Sequence, residues 1–317
     1  MAITRQTVAQ TFQDVLAWRP VFAPVIRTFE PIMTAQEALE TDLADGLATT
    51  GLRVPVVDAL RVEQGVPLLA GATFEGCGPV VRQAAQTLLP LLSCLDVVAA
   101  QQDALSRFFT APSDDDNLSS AFFSAMTADD RASLQVLADK AKLDAQLLGF
   151  VGGFVISSVL HAMVRQVPRS EDGLAPWEQA GTVWRHGHCP VCGALPGIAW
   201  LDKVVIDEKN PFLVGGGGKK HLHCNACGAD WIFRRNACPA CGEEGNKNME
   251  ILRESGISHG ERVEWCNRCR GYCPCVDLRE RIATPNLDAL AVGMMHMDMV
   301  AAEKDLHPLR ATFWNLF

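Results

Sequence analysis

The chain has 317 residues, of which 48% are hydrophobic, with 12 cysteines and a formal net charge of −9. That length holds roughly two domains at about 100–200 residues each, and that hydrophobic share fills a core, which excludes a disordered chain and a small scaffold that needs disulfides to fold. Residues 1–183 carry 12 Lys+Arg against 21 Asp+Glu, leaving 16 of each for residues 184–317 from totals of 28 and 37, so the basic face that a nucleic-acid footprint requires does not appear in the totals.

The N-terminal stretch MAITRQTVAQTFQDVL has no basic region, apolar core or small-residue cleavage site. Export is not indicated, and a cytoplasmic location is expected. In a reducing compartment 12 cysteines point to metal binding or redox work rather than to staples.

Residues 1–183 read as helical, with few alternating β-branched runs. In SDDDNLSSAFFSAM a Ser/Asp cluster precedes an apolar run, and the acidic run Asp114, Asp115 and Asp116 reads as a solvated loop and helix start. Thr127, with Asp130 three residues on, resembles an N-cap with an acidic first turn. Leu134, Leu137, Ala138 and Ala141 then mark an amphipathic helix. The uncharged run LLGFVGGFVISSVLHAMV, residues 147–164, is about the minimum for a bilayer span. Ser157, Ser158, His161 and three glycines within it favour a buried central helix, so no membrane insertion is expected. Cys77 and Cys94 have no spaced partner and read as small buried hydrophobes.

The other ten cysteines lie between positions 189 and 275. Eight form CxxC pairs: Cys189 and Cys192, Cys224 and Cys227, Cys238 and Cys241, Cys266 and Cys269. The tight turn of a CxxC brings two thiolates to one side and covers half of a tetrahedral metal's shell. In CPVCG, CNACG and CPACG a glycine after the second cysteine allows the turn to close and frees N–H groups for the sulfurs. Four pairs within about eighty residues predict two metal ions per chain.

The intervening sequence orders the pairs. A strand candidate in GALPGIAWLD leads to a turn-rich tip, NPFLVGGGGKK, and a short return in HLHC. NMEILRE, SGISHG and RVEW repeat that pattern before Cys266, as a tandem ribbon unit does. Only GADWIFRRNA separates Cys227 from Cys238, one strand without a return. The expected sites are therefore Cys189, Cys192, Cys224 and Cys227, then Cys238, Cys241, Cys266 and Cys269, with a cross-braced arrangement as the alternative. GGGGKK lacks the Ser/Thr after its lysine that a phosphate-binding loop needs, and reads as a hairpin tip. His186, His188, His221 and His223 flank the first site; as four thiolates are already available, supporting or surface positions are favoured over a ligand role. In the tail, Thr284 is the expected N-cap with Pro285 at the first helical position, followed by an apolar stripe of Leu287, Leu290, Ala291 and Met294. Met294, Met295, Met297 and Met299 cannot all share it; adaptable core packing is favoured over a partner-binding surface.

CPVCGALPGIAWL, HLHCNACGADWIFRRNACPACG, WCNRCRGY and the tail NLDALAVGMMHMDMVAAEKDLHPLR resemble the formate dehydrogenase accessory protein family, FdhE, over most of residues 189–317. The resemblance implies an α+β chain: a helical domain at 1–183, rubredoxin-like or zinc-ribbon-like units at 184–235 and 236–280, and a C-terminal helical tail at 281–317. It further implies a maturation role for formate dehydrogenase, the immature catalytic subunit as partner, iron before zinc as the metal, and no turnover of its own. No activated nucleophile or paired-carboxylate pattern stands out, and a closed four-thiolate site has no open position for hydrolysis. A rubredoxin-like electron-transfer or thiol-redox protein is the alternative; a nucleic-acid-binding zinc ribbon fits the charge less well. The chain departs from the family at GYCPCVDL, where Cys273 and Cys275 read as strand positions beyond the last knuckle, with a metal or redox role left open.

Overall fold

A computed structural model describes residues 5–110, 116–203, 218–245 and 247–315. The chain is α+β: a helical region followed by a sheet region that carries two four-cysteine clusters.

The helical region runs from α1 (Val8–Trp18) through α2 (Ala23–Thr50), α3 (Ala59–Glu63), α4 (Gly78–Leu92), α5 (Asp96–Ala99), α6 (Gln102–Thr110), α7 (Asp116–Thr127) and α8 (Arg131–Ala141) to α9 (Ala145–Arg165). Helix α1 starts at a reciprocal cap: the Thr7 side chain accepts from the Gln10 N–H, and the Gln10 side chain accepts from the Thr7 N–H. The apolar run predicted as a central helix is α9. It packs against α2, α4, α7 and α8, and 72% of its most apolar window is buried, as a core helix requires. Gly152 makes that packing possible, since a Cβ there would lie 2.5 Å from the Phe122 ring.

Thr127 is the last residue of α7, its hydroxyl turned back to the Phe123 carbonyl. Asp130 is the N-cap of α8 instead, accepting from the Ser133 N–H at 3.0 Å, because Asp129 takes a left-handed φ of 51° that ends one helix before the next starts. Cys77 is buried, but Cys94 is exposed: it lies in the short link after α4, beyond the apolar face of that helix. Asp114 and Asp115 lie outside the described residues; α7 starts at Asp116.

Among the described residues, β1 (Ile198–Leu201), β2 (Lys220–His223), β3 (Asp230–Phe233), β4 (Met249–Arg253), β5 (Glu261–Cys266), β6 (Gly271–Asp277) and β7 (His307–Pro308) form one sheet. Its order is β3-β2-β1-β6-β5-β4, with β7 on β6. The order is two antiparallel meanders, β1-β2-β3 and β4-β5-β6, joined edge to edge by parallel pairing of β1 with β6 in the register Ala199 to Cys275. Most of the NPFLVGGGGKK tip lies outside the described residues, but its last lysine does not belong to a tip. Lys220 opens β2 with its side chain buried and gives its ammonium to Glu264 of β5 at 2.6 Å, an ion pair that ties the two meanders together.

The two faces of the sheet alternate as the pleat demands. Ala199, Leu201, Leu222, Cys273 and Cys275 join the core of the helical region. Ile198, Trp200 and Val276 face α1 and the tail helix α10 (Leu287–Gly293), through Phe12, Val15, Leu287 and Leu290. The cap of α10 is Asn286, accepting from the Ala289 N–H at 3.1 Å. It is not Thr284, whose carbonyl accepts from Gln6 while the chain is still extended. A break at Met294 separates α10 from α11 (Met295–Ala302), so Met294, Met295 and Met297 are all buried whereas Met299 is 51% exposed.

Asp298 of α11 is fully buried. The Tyr272 hydroxyl donates to its Oδ1 at 2.8 Å, and Oδ2 has no partner. Burial pushes this carboxyl up to about 7, although the Tyr272 bond works in the opposite direction. Between its ordinary value and about 7 the folded chain therefore holds a proton that the unfolded chain has released, so this group's contribution to stability falls as pH rises through that window. Asp298→Asn should flatten the fall: the variant gains on the parent by roughly 3 kcal/mol between pH 4.5 and 8, read as diverging thermal midpoints. Parallel curves would show that Asp298 ionises normally.

Candidate metal centres

The four CxxC turns have one geometry. The residue after each second cysteine is left-handed, with φ of 82° at Gly193, 71° at Gly228, 73° at Gly242 and 62° at Arg270. Each returns its N–H to the carbonyl of the first cysteine, at 3.1 Å for Gly193, 2.8 Å for Gly228, 3.0 Å for Gly242 and 2.9 Å for Arg270. Three positions use the residue with no Cβ penalty; Arg270 bears the strain, its guanidinium 5.1 Å from the centre of the Trp265 ring and donating to the Lys304 carbonyl. The turns also aim N–H groups at sulfur, as Val191 does toward Cys189 Sγ at 3.4 Å.

In both meanders one knuckle precedes the first strand and the other joins the second strand to the third. The sheet thereby gathers the sulfurs of Cys189, Cys192, Cys224 and Cys227 into one group and those of Cys238, Cys241, Cys266 and Cys269 into another, the atoms of each within 4.8 Å of one another. Cys189 Sγ is 3.5 Å from Cys227 Sγ, and Cys192 Sγ 3.5 Å from Cys224 Sγ. In the second group the separations are 3.6 Å for Cys238 with Cys269 and 3.7 Å for Cys241 with Cys266. A disulfide needs about 2.05 Å. A tetrahedron of thiolates about 2.3 Å from a central ion has edges of about 3.8 Å, so both groups fit such an ion, zinc or iron alike. In the first group burial pushes the Cys189 and Cys227 thiols far up, and the Cys192 and Cys224 sulfurs add to it at both. Four thiolates at that spacing require a cation between them.

The two groups differ in setting. Cys189, Cys224 and Cys227 are buried in the main core and Cys192 is half-buried against it. In the second group Cys241 is exposed and Cys269 half-buried, and none of its four cysteines joins a core cluster.

None of the four flanking histidines enters a sulfur group. His188 Nε2 faces the Gly65 carbonyl at 2.9 Å, and His186 packs beside Trp184. His221 stacks on Trp200 and meets Asp202 at 3.0 Å. His223 is clamped between Asp230 at 3.0 Å and Asp288 at 3.4 Å. Burial alone would lower its affinity for a proton, but the Asp288 and Asp230 carboxylates outweigh that and push it up to about 10. Cys273 and Cys275 lie on one face of β6, outside both groups; burial pushes Cys273 up to about 12 and Cys275 well up, which favours the neutral thiol at both.

Residues the sequence did not single out tie the first group to the rest of the fold. Asn225, inside the Cys224 knuckle, donates to Asp288 of α10 at 2.7 Å, and its carbonyl lies 3.4 Å from His161 Nε2 of α9. His161 Nδ1 in turn meets Glu40 of α2 at 3.2 Å. The one signal was His161, a titratable residue in an otherwise apolar helix.

A helical body joined to two fused three-stranded ribbons, each gathering four thiols at metal-ligand spacing, defines a two-centre tetracysteine protein. No family model matches the chain. Proteins described as FdhE homologues do: one from Aquifex aeolicus is 26% identical over 131 residues, 41% of this chain and 42% of its own length. One from Shewanella baltica is 26% identical over 175 residues, 50% of this chain and 52% of its own, so the chain spans about half the length of these relatives. The crystal structure of the FdhE protein from Pseudomonas aeruginosa has the same fold, with a TM-score of 0.54, 18% identity, and coverage of 99% of this chain and 96% of that one. The chain is therefore similar to FdhE proteins, in sequence over about half its length and in fold over nearly all of it.

Proposed function

We propose that the protein is an accessory factor in formate dehydrogenase maturation. It holds the immature catalytic subunit in the cytoplasm through its helical body (1–183), its two ribbons (184–235 and 236–280) and its tail (281–317). Cys189, Cys192, Cys224 and Cys227 hold one metal ion, and Cys238, Cys241, Cys266 and Cys269 the second, with iron in the cell in preference to zinc. The observation that carries this reading is the pair of closed four-thiol groups in a chain similar to FdhE proteins. Four sulfurs complete a tetrahedral shell and leave no position for substrate, so a binding and assembly role is favoured over turnover.

The test compares a deletion strain with strains restored by the whole chain, by residues 1–183 or by Cys→Ser variants. Dehydrogenase activity is expected only with both ribbons intact, at equal levels of enzyme polypeptide. Metal analysis and an absorption spectrum of anaerobically purified protein should give two metals per chain with iron present. Full activity in the deletion strain would sink the accessory role. Electron transfer is the second reading, favoured by the exposure of Cys241, which puts a ligand sulfur at the solvent edge. Rescue by an unrelated rubredoxin would support it instead.

A further inference from the structure

Helix α9 turns one side, Gln146, Phe150, Gly153, Ser157 and His161, toward a cleft of about 920 Å³. Gln36 and Glu40 of α2 line it as well, Phe313 and Arg310 of the tail form another wall, and Cys192 of the first sulfur group lies at its edge. Three features of this cleft point to an occupant. The first is Gly153, which is exposed within the helix and would meet nothing within 4 Å if it carried a Cβ. Gly149 and Gly152 have neighbours that explain them, Leu134 and Phe122; Gly153 has none, yet glycine in a helix interior is unfavourable. The second is charge. Glu40 is taken by Arg165 and His161, Asp288 by His223 and Asn225, and Glu37 by the Val8 N–H and Asn286. Arg310 forms no ion pair with a carboxylate among the described residues, although its charge also reaches the Cys224 sulfur of the first group. The third is shape: from Gln146 to His161 the helix runs about 22 Å, the span of about seven residues of extended chain.

We propose that the cleft is the docking groove for an extended apolar segment of the client polypeptide, its backbone passing over Gly153 and one carboxylate meeting Arg310. This deepens the accessory reading and rests on it. The apolar side chains pack on Phe150 and Phe313, and the segment ends beside Cys192, so that client binding and the first metal centre share a wall.

The test uses the full metal-loaded chain and the purified catalytic subunit from a strain lacking the accessory protein. Gly153→Leu fills the groove with a better helix former, so it should bind the subunit at least about tenfold more weakly while its melting temperature holds or rises. Arg310→Gln should weaken binding about fivefold and reduce its salt dependence, with two metals retained in both variants. Fluorescein-labelled 12-residue peptides tiling the subunit identify the segment. The expected binder is apolar with one Asp, Glu or free C-terminus, and amidation of the terminus separates those sources. Undiminished binding by Gly153→Leu overturns the groove and leaves the accessory role standing, whereas no binding by the parent chain sinks both. If Arg310→Gln loses first-site metal with binding unchanged, Arg310 serves the thiolates and the carboxylate contact is wrong.

Discussion

Cys189→Ser is expected to remove one metal per chain and lower the melting temperature by at least about 10 °C, whereas Cys241→Ser removes one metal and leaves the melt within about 3 °C of the parent. The asymmetry follows from where the sulfurs sit. Cys189, Cys224 and Cys227 are part of the apolar cluster that includes α9 and the inner face of the sheet. Loss of the ion there leaves the thiolates of Cys224 and Cys227, both buried, and of half-buried Cys192 without a counter-cation in a core that cannot hydrate them. Because the Cys224 knuckle is hydrogen-bonded to both α9 and α10, the disturbance reaches the helical body and the tail. The second group lies outside the core clusters and, although Cys238 and Cys266 are buried, Cys241 meets solvent, so its loss should loosen the second meander without reaching the helical core. Metal content by plasma mass spectrometry, with calorimetry of the same samples, checks both halves. Equal destabilisation by the two variants would show that burial does not set the difference, and a parent chain holding one metal would remove the premise.

The eight cysteines were legible because a CxxC turn is a local object: its spacing, its glycine and its flanking strands all lie within a few residues. The same holds for α9, whose apolar run could be weighed against a membrane span by its serines and His161. What was hidden is non-local. Parallel pairing of β1 with β6 brings together residues about 75 positions apart and has no sequence period, so the two tandem units are legible but their fusion into one sheet is not. Lys220 reads as part of a glycine-rich tip because its partner, Glu264, sits three strands away across that same junction. Helix starts failed for a subtler reason. Thr127 and Thr284 have suitable side chains, but so do Asp130 and Asn286 a few residues later, and backbone contacts decide between them. For Thr284 the deciding contact is the Gln6 N–H, supplied from the opposite end of the chain.

His223→Gln should cost about 3–5 kcal/mol, the loss typical of breaking a buried ion pair from one side. The imidazolium donates from Nδ1 to Asp230 and from Nε2 to Asp288, and it is itself buried. Asp230 keeps other support without it, from Arg5 at 2.9 Å and the Trp200 indole N–H at 3.1 Å. Asp288 keeps less: once His223 is gone, its side-chain hydrogen bond among the described residues is to the Asn225 amide, at the knuckle between Cys224 and Cys227, and His161 acts on it only through space. Its under-compensated charge then acts on the residue that positions two of the first centre's sulfurs. A chromogenic chelator should accordingly take the first metal at least about tenfold faster from His223→Gln than from the parent, with the second metal's release unchanged. The double variant His223→Gln/Asp288→Asn removes both charges and should recover much of the lost stability, because the penalty lies in the orphaned carboxylate more than in the missing attraction. Strictly additive losses in the double variant, or equal acceleration at both centres, would show that the Asp230–His223–Asp288 chain neither pairs as drawn nor supports the first centre.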